Sequence, residues 1–540
     1  MMSIRLPAVV AATTGLVALG ALWWVRGPTL PAEGPPANPP SVSGAWRPDV
    51  ATLRQDLTDR AAVLARTAYA SGAATVPAAL SLLDFDAYRS LRFRPEAALW
   101  RGESPFEIQL FHLGAIHTEP VRIHLVEGDS IRTQLYDPEL FLFEGGAEAV
   151  REIPAGEIPA FAGFRVHYPL NRPDVMDELG AFLGASYFRI LGAGHEYGLS
   201  ARGLAIDPAV DGPEEFPAFR EFWIEQPAPG AESLTIHALL EGPSVAGAYT
   251  FELRPGSPST LDVDARLFAR RDIRKLGVAP MSSMFLHAPG HGPPHDDFRP
   301  RIHDSDGLQM RTGRDEWIWR PLGNGPGLHV TSLRDEAPRG FGLFQRARGF
   351  GEFLDLEARY HLRPSYWVEI LEGDWGAGGV ELMEIPTDSE FSDNIAAYWV
   401  PDRPFREGEG RRFVYRLETH GAAHPDMDVA RVDRTAIGWD ALPGQMDPPP
   451  RSRRRFVVDF VGGDLADLAP GEDLQVDLSV LRGSAEGVMV QHLPGNNGRR
   501  VTFTLTPDGD QPADMRLLLV RGGEALSETW SYVWYPLRIR

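Results

Sequence analysis

Residues 106–135 read FEIQLFHLGAIHTEPVRIHLVEGDSIRTQL, and apolar and polar side chains alternate along much of this stretch. Three alternating runs, at residues 106–110, 121–125 and 131–135, are each bounded by turn residues. Because successive side chains of a strand point to opposite faces of a sheet, a period of two indicates strands with one buried face. The stretch therefore predicts three short strands.

The same period of two returns at residues 234–240, 249–253 and 261–267. Between residues 100 and 400, few segments look helical, and 175–183 is the best helix candidate. Ahead of this region, Asp49 is placed to cap a helix whose apolar residues recur at helical spacing from residue 53 to residue 64. Many short strands without intervening helices predict an all-β fold built on a large N-terminal antiparallel β-sandwich.

A second unit is predicted over residues 411–540, separated by a linker from a first unit over residues 45–402. Its strands are expected at residues 413–417, 456–460, 474–480, 488–491, 501–505, 515–520 and 529–534. About seven strands in a segment of this length are typical of an immunoglobulin-like sandwich. The proline-rich segment 435–454 is predicted to be a long loop within it.

The N-terminus has the pattern of an export segment. Arg5 precedes an uncharged run over residues 6–25, and Arg26 follows it. Residues 1–26 therefore predict either a cleaved signal peptide or an uncleaved membrane anchor, and both export the rest of the chain. Residues 27–44 contain six prolines and are predicted to form a semi-rigid tether.

Composition excludes several classes of function. The net charge of −21 argues against a nucleic-acid partner, because binding to phosphates requires a basic surface. The chain has no cysteine, which excludes thiol catalysis and thiolate zinc sites, and its one lysine is Lys275. The segment 192–198 misses the glycine spacing of a dinucleotide-binding loop. No cofactor is predicted.

The segment 384–401, EIPTDSEFSDNIAAYWVP, is a candidate carbohydrate site. It places the carboxylates of Glu384, Asp388, Glu390 and Asp393 between two apolar runs. Sugars present apolar faces that stack on rings and hydroxyls that bond to carboxylates, so this arrangement suits a glycan. The alternative is an acidic turn that is exposed to solvent and binds no ligand.

Asp304 and Asp393 are each followed or preceded by aromatic residues, and each is expected on a loop at a strand edge. Inverting glycosidases use two carboxylates on opposite sides of the scissile bond, so the two aspartates form a candidate pair. Arg202, which lies close to glycines, is a candidate for binding hydroxyls or carboxylates through its guanidinium. Exposed aspartates are common, and a structural role for all three residues stays open.

Histidines and aspartates cluster between residues 287 and 306, with histidines at 287, 291, 295 and 303. This is the strongest metal candidate in the sequence. However, the spacing fits no pair of ligands on one helix turn, and proline and glycine interrupt it. We therefore predict a loop and no metal site.

Several longer motifs resemble a known family. They are SYFR at 186–189, YGLSARGLAID at 197–207, LGVAPM at 276–281, IHDSD at 302–306, EWIWRP at 316–321, EIPT at 384–387, DNI at 393–395 and SETW at 527–530. In this order, and spread over most of the chain, they resemble the osmoregulated periplasmic glucan biosynthesis proteins of types G and D. The twin-arginine signal of the D type is absent, which favours the general secretory route.

The resemblance implies a galactose-mutarotase-like β-sandwich followed by an immunoglobulin-like domain, in a periplasmic protein. It also implies a role with glucans whose backbone is β-1,2-linked glucose, and similarity to glycoside hydrolases that cleave this backbone with inversion. By resemblance, Asp304 and Asp393 are the catalytic pair, with Asp393 favoured as the acid. Glu390 and Tyr360 match positions near the reaction path.

Around this pair, six further residues are predicted to contact the glucan: Arg202, Trp317, Arg320, Arg363, Trp367 and Trp399. Burial beside the tryptophans would also raise the pKa of the catalytic acid. Two alternatives stay open. One is a non-catalytic glucan-binding scaffold that serves a membrane glucan synthase, and the other is a glucan transglycosylase. The sequence does not decide whether the chain forms a homodimer.

Overall fold

The computed structural model describes residues 48–71, 76–289 and 296–536. The predicted export segment and tether, as well as His291 and His295, lie outside the described residues. The α-helices are α1 (Leu53–Leu64), α2 (Ala78–Ser81), α3 (Phe85–Ser90) and α4 (Phe350–Phe353). Short 3-10 helices are Val50–Thr52, Pro95–Ala97, Pro138–Leu140, Glu148–Glu152, Ala155–Glu157, Tyr360–Leu362 and Gly463–Asp467.

Strands account for most of the regular structure. The first part of the chain contains β1 (Leu91–Phe93), β2 (Glu107–Phe111), β3 (Arg122–Glu127), β4 (Ser130–Gln134), β5 (Phe141–Phe143), β6 (Gly163–Tyr168), β7 (Asp177–Leu183), β8 (Tyr187–Ile190), β9 (Ser200–Arg202), β10 (Leu204–Ile206), β11 (Ala218–Glu225), β12 (Leu234–Glu241), β13 (Val245–Arg254), β14 (Thr260–Ala269), β15 (Leu276–Ser283), β16 (Phe285–His287) and β17 (Ile302–His303). The rest contains β18 (Gly307–Arg311), β19 (Trp317–Pro321), β20 (His329–Asp335), β21 (Gly340–Phe344), β22 (Ser365–Gly373), β23 (Gly378–Glu384), β24 (Ile395–Pro401), β25 (Gly410–His420), β26 (Arg431–Trp439), β27 (Arg454–Val461), β28 (Gln475–Leu481), β29 (Gly483–His492), β30 (Arg499–Pro507), β31 (Ala513–Arg521), β32 (Glu524–Ala525) and β33 (Thr529–Trp534).

Two large sheets form the main sandwich, which confirms the all-β prediction. One has the strand order β2-β6-β7-β8-β9-β15-β24-β23-β20. The other runs β28-β31-β33-β19-β18-β21-β22-β25-β14-β13-β12-β11-β3-β4. Their inner faces share one hydrophobic core, to which Phe164 and Phe188 contribute from the first sheet and Phe251 from the second. Burial of this apolar area is the main stabilising contribution to the fold.

The stretch 106–135 supplies strands to both sheets. Strand β2 pairs with β6 in the first sheet, whereas β3 pairs with β4 and, in parallel, with β11 in the second. Ile108 and Ile123 are completely buried, one from each sheet, as the alternating pattern requires. The three predicted strands are therefore confirmed, and they hold the two layers of the sandwich together.

The helix expected at residues 175–183 is wrong, because this segment forms β7. It pairs with β6 on one side and β8 on the other. The close packing of its neighbours supports the extended form, since a Cβ at Gly180 would lie 2.7 Å from the carbonyl oxygen of Arg189. The predicted helix is confirmed as α1, which packs Leu53 and Leu57 against Trp223, but Asp49 caps the short 3-10 helix Val50–Thr52 that precedes it.

A second core lies in the C-terminal part of the chain. The four-stranded sheet β26-β27-β30-β29 and the strands β28, β31 and β33 enclose Phe456, Phe503 and Trp530. Strand β33 also pairs in parallel with β19, so the large sheet continues into this sandwich. The predicted strands from residue 456 onward are confirmed. The predicted boundary between residues 402 and 411 stays a prediction.

Two details of this region differ from the sequence analysis. The strand expected at 413–417 lies within β25, which pairs with β14 and β22 in the middle of the large sheet rather than in the C-terminal sandwich. The predicted loop 435–454 begins only after β26, which ends at Trp439. For β25, a pairing partner distant in sequence, β14, decides the structure, and a local pattern does not contain it. Strand β26 pairs with the next strand, β27, and extends into the predicted loop. No helix among the described residues is long and apolar enough to cross a membrane.

Candidate active site

The carboxylate-bearing segment is the loop of a β-hairpin. Strands β23 and β24 pair antiparallel, with Glu384 opposite Ile395, and the ten residues between them form the loop. Both strands are mostly buried, as predicted. The loop carries Asp388, Glu390 and Asp393, whereas Glu384 lies at the end of the strand. The hairpin therefore fixes both ends of the segment that holds the candidate acid.

Two asparagines that the sequence analysis did not identify hold this loop. The buried Asn394 side chain accepts from the N–H of Phe285 at 2.8 Å and donates to the carbonyl oxygens of Phe285 and Ile385. The Asn324 amide donates to the carbonyl oxygen of Thr387 at 2.7 Å and accepts from its N–H at 3.0 Å. The backbone on both sides of Glu390 and Asp393 is thus bound to neighbouring segments.

Replacing Asn394 with alanine should lower the free energy of unfolding by about 1–3 kcal/mol, because it leaves buried N–H and C=O groups without partners. Denaturation in urea measures this change. The control is Asn171→Ala, since Asn171 is exposed and accepts one hydrogen bond, from the N–H of Gly194. A loss of unfolding free energy in Asn394→Ala no larger than that of the control would contradict the conclusion that Asn394 holds the loop in place.

A cavity of about 700 Å³ opens beside the loop. Its lining includes Ser392 and Asp393 from the loop and Glu178, Tyr187, Arg189 and Arg202 from the first sheet and its connections. The volume lies in the range of sites for small molecules and cofactors, and the wall combines aromatic rings with charged groups of both signs. Such a wall can contact both the apolar faces and the hydroxyls of a sugar.

Asp393 is exposed and lines the wall of this partly open cavity. Removal from bulk water raises the pKa of the Asp393 carboxyl, and the negative charge of Asp304 raises it further. The cations Arg189, Arg363 and Arg202 act in the opposite direction and do not reverse the shift. The carboxyl is therefore biased towards its protonated form and remains accessible to a ligand.

Asp304 is buried, and it follows β17 directly. Its N–H donates to the carbonyl oxygen of Met284 at 2.8 Å, and its carboxylate accepts from Arg363. The Arg363 guanidinium also lies 4.0 Å from the centre of the Tyr360 ring. The structure thus brings together Asp304, Arg363 and Tyr360, and the charge of Asp304 reaches Asp393.

Tyr360 links this group back to the loop. Its hydroxyl donates to Glu390 at 2.6 Å, and Arg299 donates to the same carboxylate at 2.9 Å. Burial raises the pKa of the Tyr360 hydroxyl well above its usual range. Arg299 was not identified from the sequence, where it follows the histidine-rich segment. It also binds Asp297 and Asp355 and so attaches the loop to two other segments.

Arg202, which was predicted to be a binding residue, lies on β9 and lines the cavity. It is ion-paired with Glu214, and its guanidinium lies over the rings of Tyr187 and Phe216 at 5.3 and 4.9 Å from their centres. These contacts fix the guanidinium in one orientation. Arg189, which the sequence analysis did not select, lines the same cavity.

Five of the six predicted glucan contacts do not line the cavity. One is Arg363, which is buried and paired with Asp304. Trp317 and Trp367 pack into the C-terminal core, and Trp399 is fully buried with its ring N–H donated to the carbonyl oxygen of Trp375. Arg320 is also buried and donates to Glu384 at 3.0 Å. These expectations are corrected, because a fully covered ring or a buried ion pair offers no surface to a ligand. None of the three tryptophans lines the cavity beside Asp393.

Comparison with known proteins gives consistent results. Residues 53–534 match the family model described as periplasmic glucan biosynthesis protein, MdoG. The chain is 42% identical over 510 residues to glucans biosynthesis protein G of Rhodopseudomonas palustris strain BisA53, covering 94% of this chain and 97% of the relative. It is 42% identical over 472 residues to the protein of the same name from Vibrio cholerae serotype O1 (87% and 84% covered) and 43% identical over 490 residues to that of Ralstonia nicotianae (89% and 95% covered).

Proposed function

Because the chain belongs to the MdoG family of periplasmic glucan biosynthesis proteins, we propose that it cleaves the glucan backbone itself. The proposed reaction is inverting, endo-acting hydrolysis of β-1,2-linked glucan in the periplasm. The N-terminal segment would export the chain, either as a cleaved signal or as an uncleaved anchor. The proposal rests on the carboxyl group of Asp393, which lines the cavity, is accessible to a ligand and has a raised pKa.

Asp393 is the proposed general acid. A carboxyl group whose pKa is raised keeps its proton to a higher pH and can give it to the glycosidic oxygen as the bond to the anomeric carbon breaks. The raised pKa of Asp393 supports this assignment, and so does its place on the cavity wall. Arg189 and Arg202, on the same wall, would orient the sugar through its hydroxyls.

Asp304 is the proposed general base. In an inverting reaction, water attacks the anomeric carbon from the face opposite the leaving oxygen, and a carboxylate takes its proton. Arg363 donates a hydrogen bond to the Asp304 carboxylate and so holds it in place. Asp304 is buried. The proton of the attacking water would reach its carboxylate directly or through intervening hydroxyls. Tyr360 and Glu390 support the site by holding the loop and Arg363 together.

Two other functions use the same cavity. A glucan-binding scaffold for a membrane glucan synthase needs the arginines and rings but not a protonated carboxyl. A transglycosylase needs the carboxyls and an acceptor hydroxyl in place of water. Incubation with linear β-1,2-glucan separates them: shorter chains support hydrolysis, lengthened or cyclic chains support transglycosylation, and unchanged but bound polymer supports the scaffold.

The pH profile offers a test of the acid. Since Asp393 acts when protonated, kcat/KM should fall as pH rises through its raised pKa. Arg189 lowers that pKa, so Arg189→Gln should move the fall to higher pH, whatever its effect on the overall rate. Arg172→Gln, at an exposed site, is the control. A fall that stays in place or moves to lower pH in Arg189→Gln would argue against Asp393 as the acid.

A further inference from the structure

A second cluster of reactive side chains lies at the end of β25, outside the residues that line the cavity. Glu418 and His420 are two residues apart on this strand and therefore share one face of the large sheet. Their partners on β22 are Trp367 and Ser365. The chain then turns and brings His424 back over the same face, where its ring lies 4.8 Å from that of Trp367.

The three side chains present two imidazoles and one carboxylate to each other. One donor atom from each residue lies within 4.8 Å of the other two. Nε2 of His420 is 2.8 Å from a carboxylate oxygen of Glu418. Both histidines are buried, and Glu418 is partly accessible. A set of nitrogen and oxygen donors of this kind is typical of zinc and related divalent metals.

The surroundings of the cluster carry further negative charge. The carboxylates of Glu369 and Asp426 lie close enough to act electrostatically on Glu418 and His424. A cation bound between the donors would be stabilised by these carboxylates as well as by Glu418.

Two arginines near the cluster, Arg416 and Arg311, form ion pairs with carboxylates outside it. Arg416 pairs with Asp262 at 2.6 Å, and Arg311 pairs with Asp315 at 3.0 Å. Arg311 also lies over the Trp317 ring, 5.1 Å from its centre. Neither guanidinium is hydrogen-bonded to the two histidines in the described part of the chain. The donors are therefore not occupied by a protein cation.

We propose that Glu418, His420 and His424 bind a divalent transition-metal ion of the Zn²⁺ class. In the structure these donor atoms make hydrogen bonds within the protein. His420 contacts Glu418, and the N–H of Asp426 donates to Nδ1 of His424 at 3.1 Å. The ion would replace the first contact and, if it binds Nδ1 of His424, the second. It would join the end of β25 to the turn that leads into the C-terminal sandwich.

The test is metal titration of the purified, untagged chain after treatment with a chelator. Calorimetry with Zn²⁺ should give one saturable site per chain, and Co²⁺ should produce visible absorption bands. His424→Ala and Glu418→Gln should each weaken binding by at least about tenfold, as expected when ligands or their immediate supports are removed. Zn²⁺ should also raise the Tm of the wild type and not that of the variants.

Two controls separate this site from other histidines. His492→Ala changes an exposed histidine, and the double variant His291→Ala/His295→Ala removes two histidines of the histidine-rich segment. Both should bind Zn²⁺ like the wild type. Absence of saturable binding, or binding that persists in Glu418→Gln and His424→Ala, would overturn the proposal, as would its loss in the double variant. If His424→Ala does not fold, Glu418→Gln decides the outcome.

Discussion

Asp393→Asn should reduce the cleavage of linear β-1,2-glucan by roughly 10²- to 10⁴-fold, the contribution typical of a general acid or base. The amide matches the carboxyl in shape, so the cavity and its arginines keep their arrangement, but no proton can be given to the leaving oxygen. The hairpin should be unaffected, because Asn394 and Asn324, and not Asp393, clamp the loop. Initial rates from reducing-end assays, together with the Tm, measure both effects.

Asp388→Asn is the matched control, since Asp388 lies on the same loop, is exposed, and does not line the cavity. Its activity should equal that of the wild type. Asp304→Asn should lose activity as Asp393→Asn does, because it removes the proposed base. Normal turnover by either Asp393→Asn or Asp304→Asn would refute the assignment of these two residues.

Glu528→Ala should destabilise the chain by about 3–5 kcal/mol, the effect of removing one partner of a buried ion pair. Glu528 is completely buried and accepts from Arg346 at 2.5 and 2.9 Å and from the N–H of Val432 at 2.6 Å. The Arg346 guanidinium, 3.5 Å from the centre of the Trp319 ring, would be left buried without its counter-charge. Urea denaturation followed by tryptophan fluorescence and by far-ultraviolet circular dichroism measures the loss.

Glu524→Ala serves as the control, because Glu524 is exposed on β32, four residues away. It should change stability by less than about 0.5 kcal/mol. The backbone N–H of Arg346 also donates to Asp306 at 3.1 Å, and Asp306 lies two residues after Asp304. If Glu528→Ala displaces Arg346, we expect the position of Asp304 to change and the cleavage rate to fall. A Glu528→Ala variant as stable as the control would contradict the view that this ion pair joins the C-terminal sandwich to the large sheet.

The strands could be predicted from the sequence because their signal is local. Alternation at residues 106–135, and again along β12 to β14, reports which side chain faces the core at each position. The polar loop within residues 384–401 was predicted for the same reason, because apolar runs flank it, and these runs form the buried strands β23 and β24. Segment 175–183 was misassigned, because Gly180 and its neighbours are held extended by β6 and β8, and these pairings are not visible in the segment itself.

The site was only partly predictable. Asp393 and Arg202 were selected and line the cavity, and Asp304 lies close enough to influence Asp393 electrostatically. Trp399 has the type of ring on which a sugar can stack, but the ring is buried in the core. Asn324, Asn394 and Arg299 were missed, because their roles depend on hydrogen bonds to backbone groups and carboxylates that are distant in sequence. Burial, which the sequence motifs do not reveal, determined which aromatic residues remain available.

We propose that the chain hydrolyses β-1,2-glucan with inversion through Asp393 and Asp304. The most direct measurement follows the new reducing ends by proton nuclear magnetic resonance during the first minutes of incubation with linear β-1,2-glucan, with product lengths read by chromatography. We expect short oligosaccharides whose new ends appear first as the α-anomer, and none with Asp393→Asn. Ends that appear first as the β-anomer, products longer than the substrate, or an unchanged polymer would contradict the account.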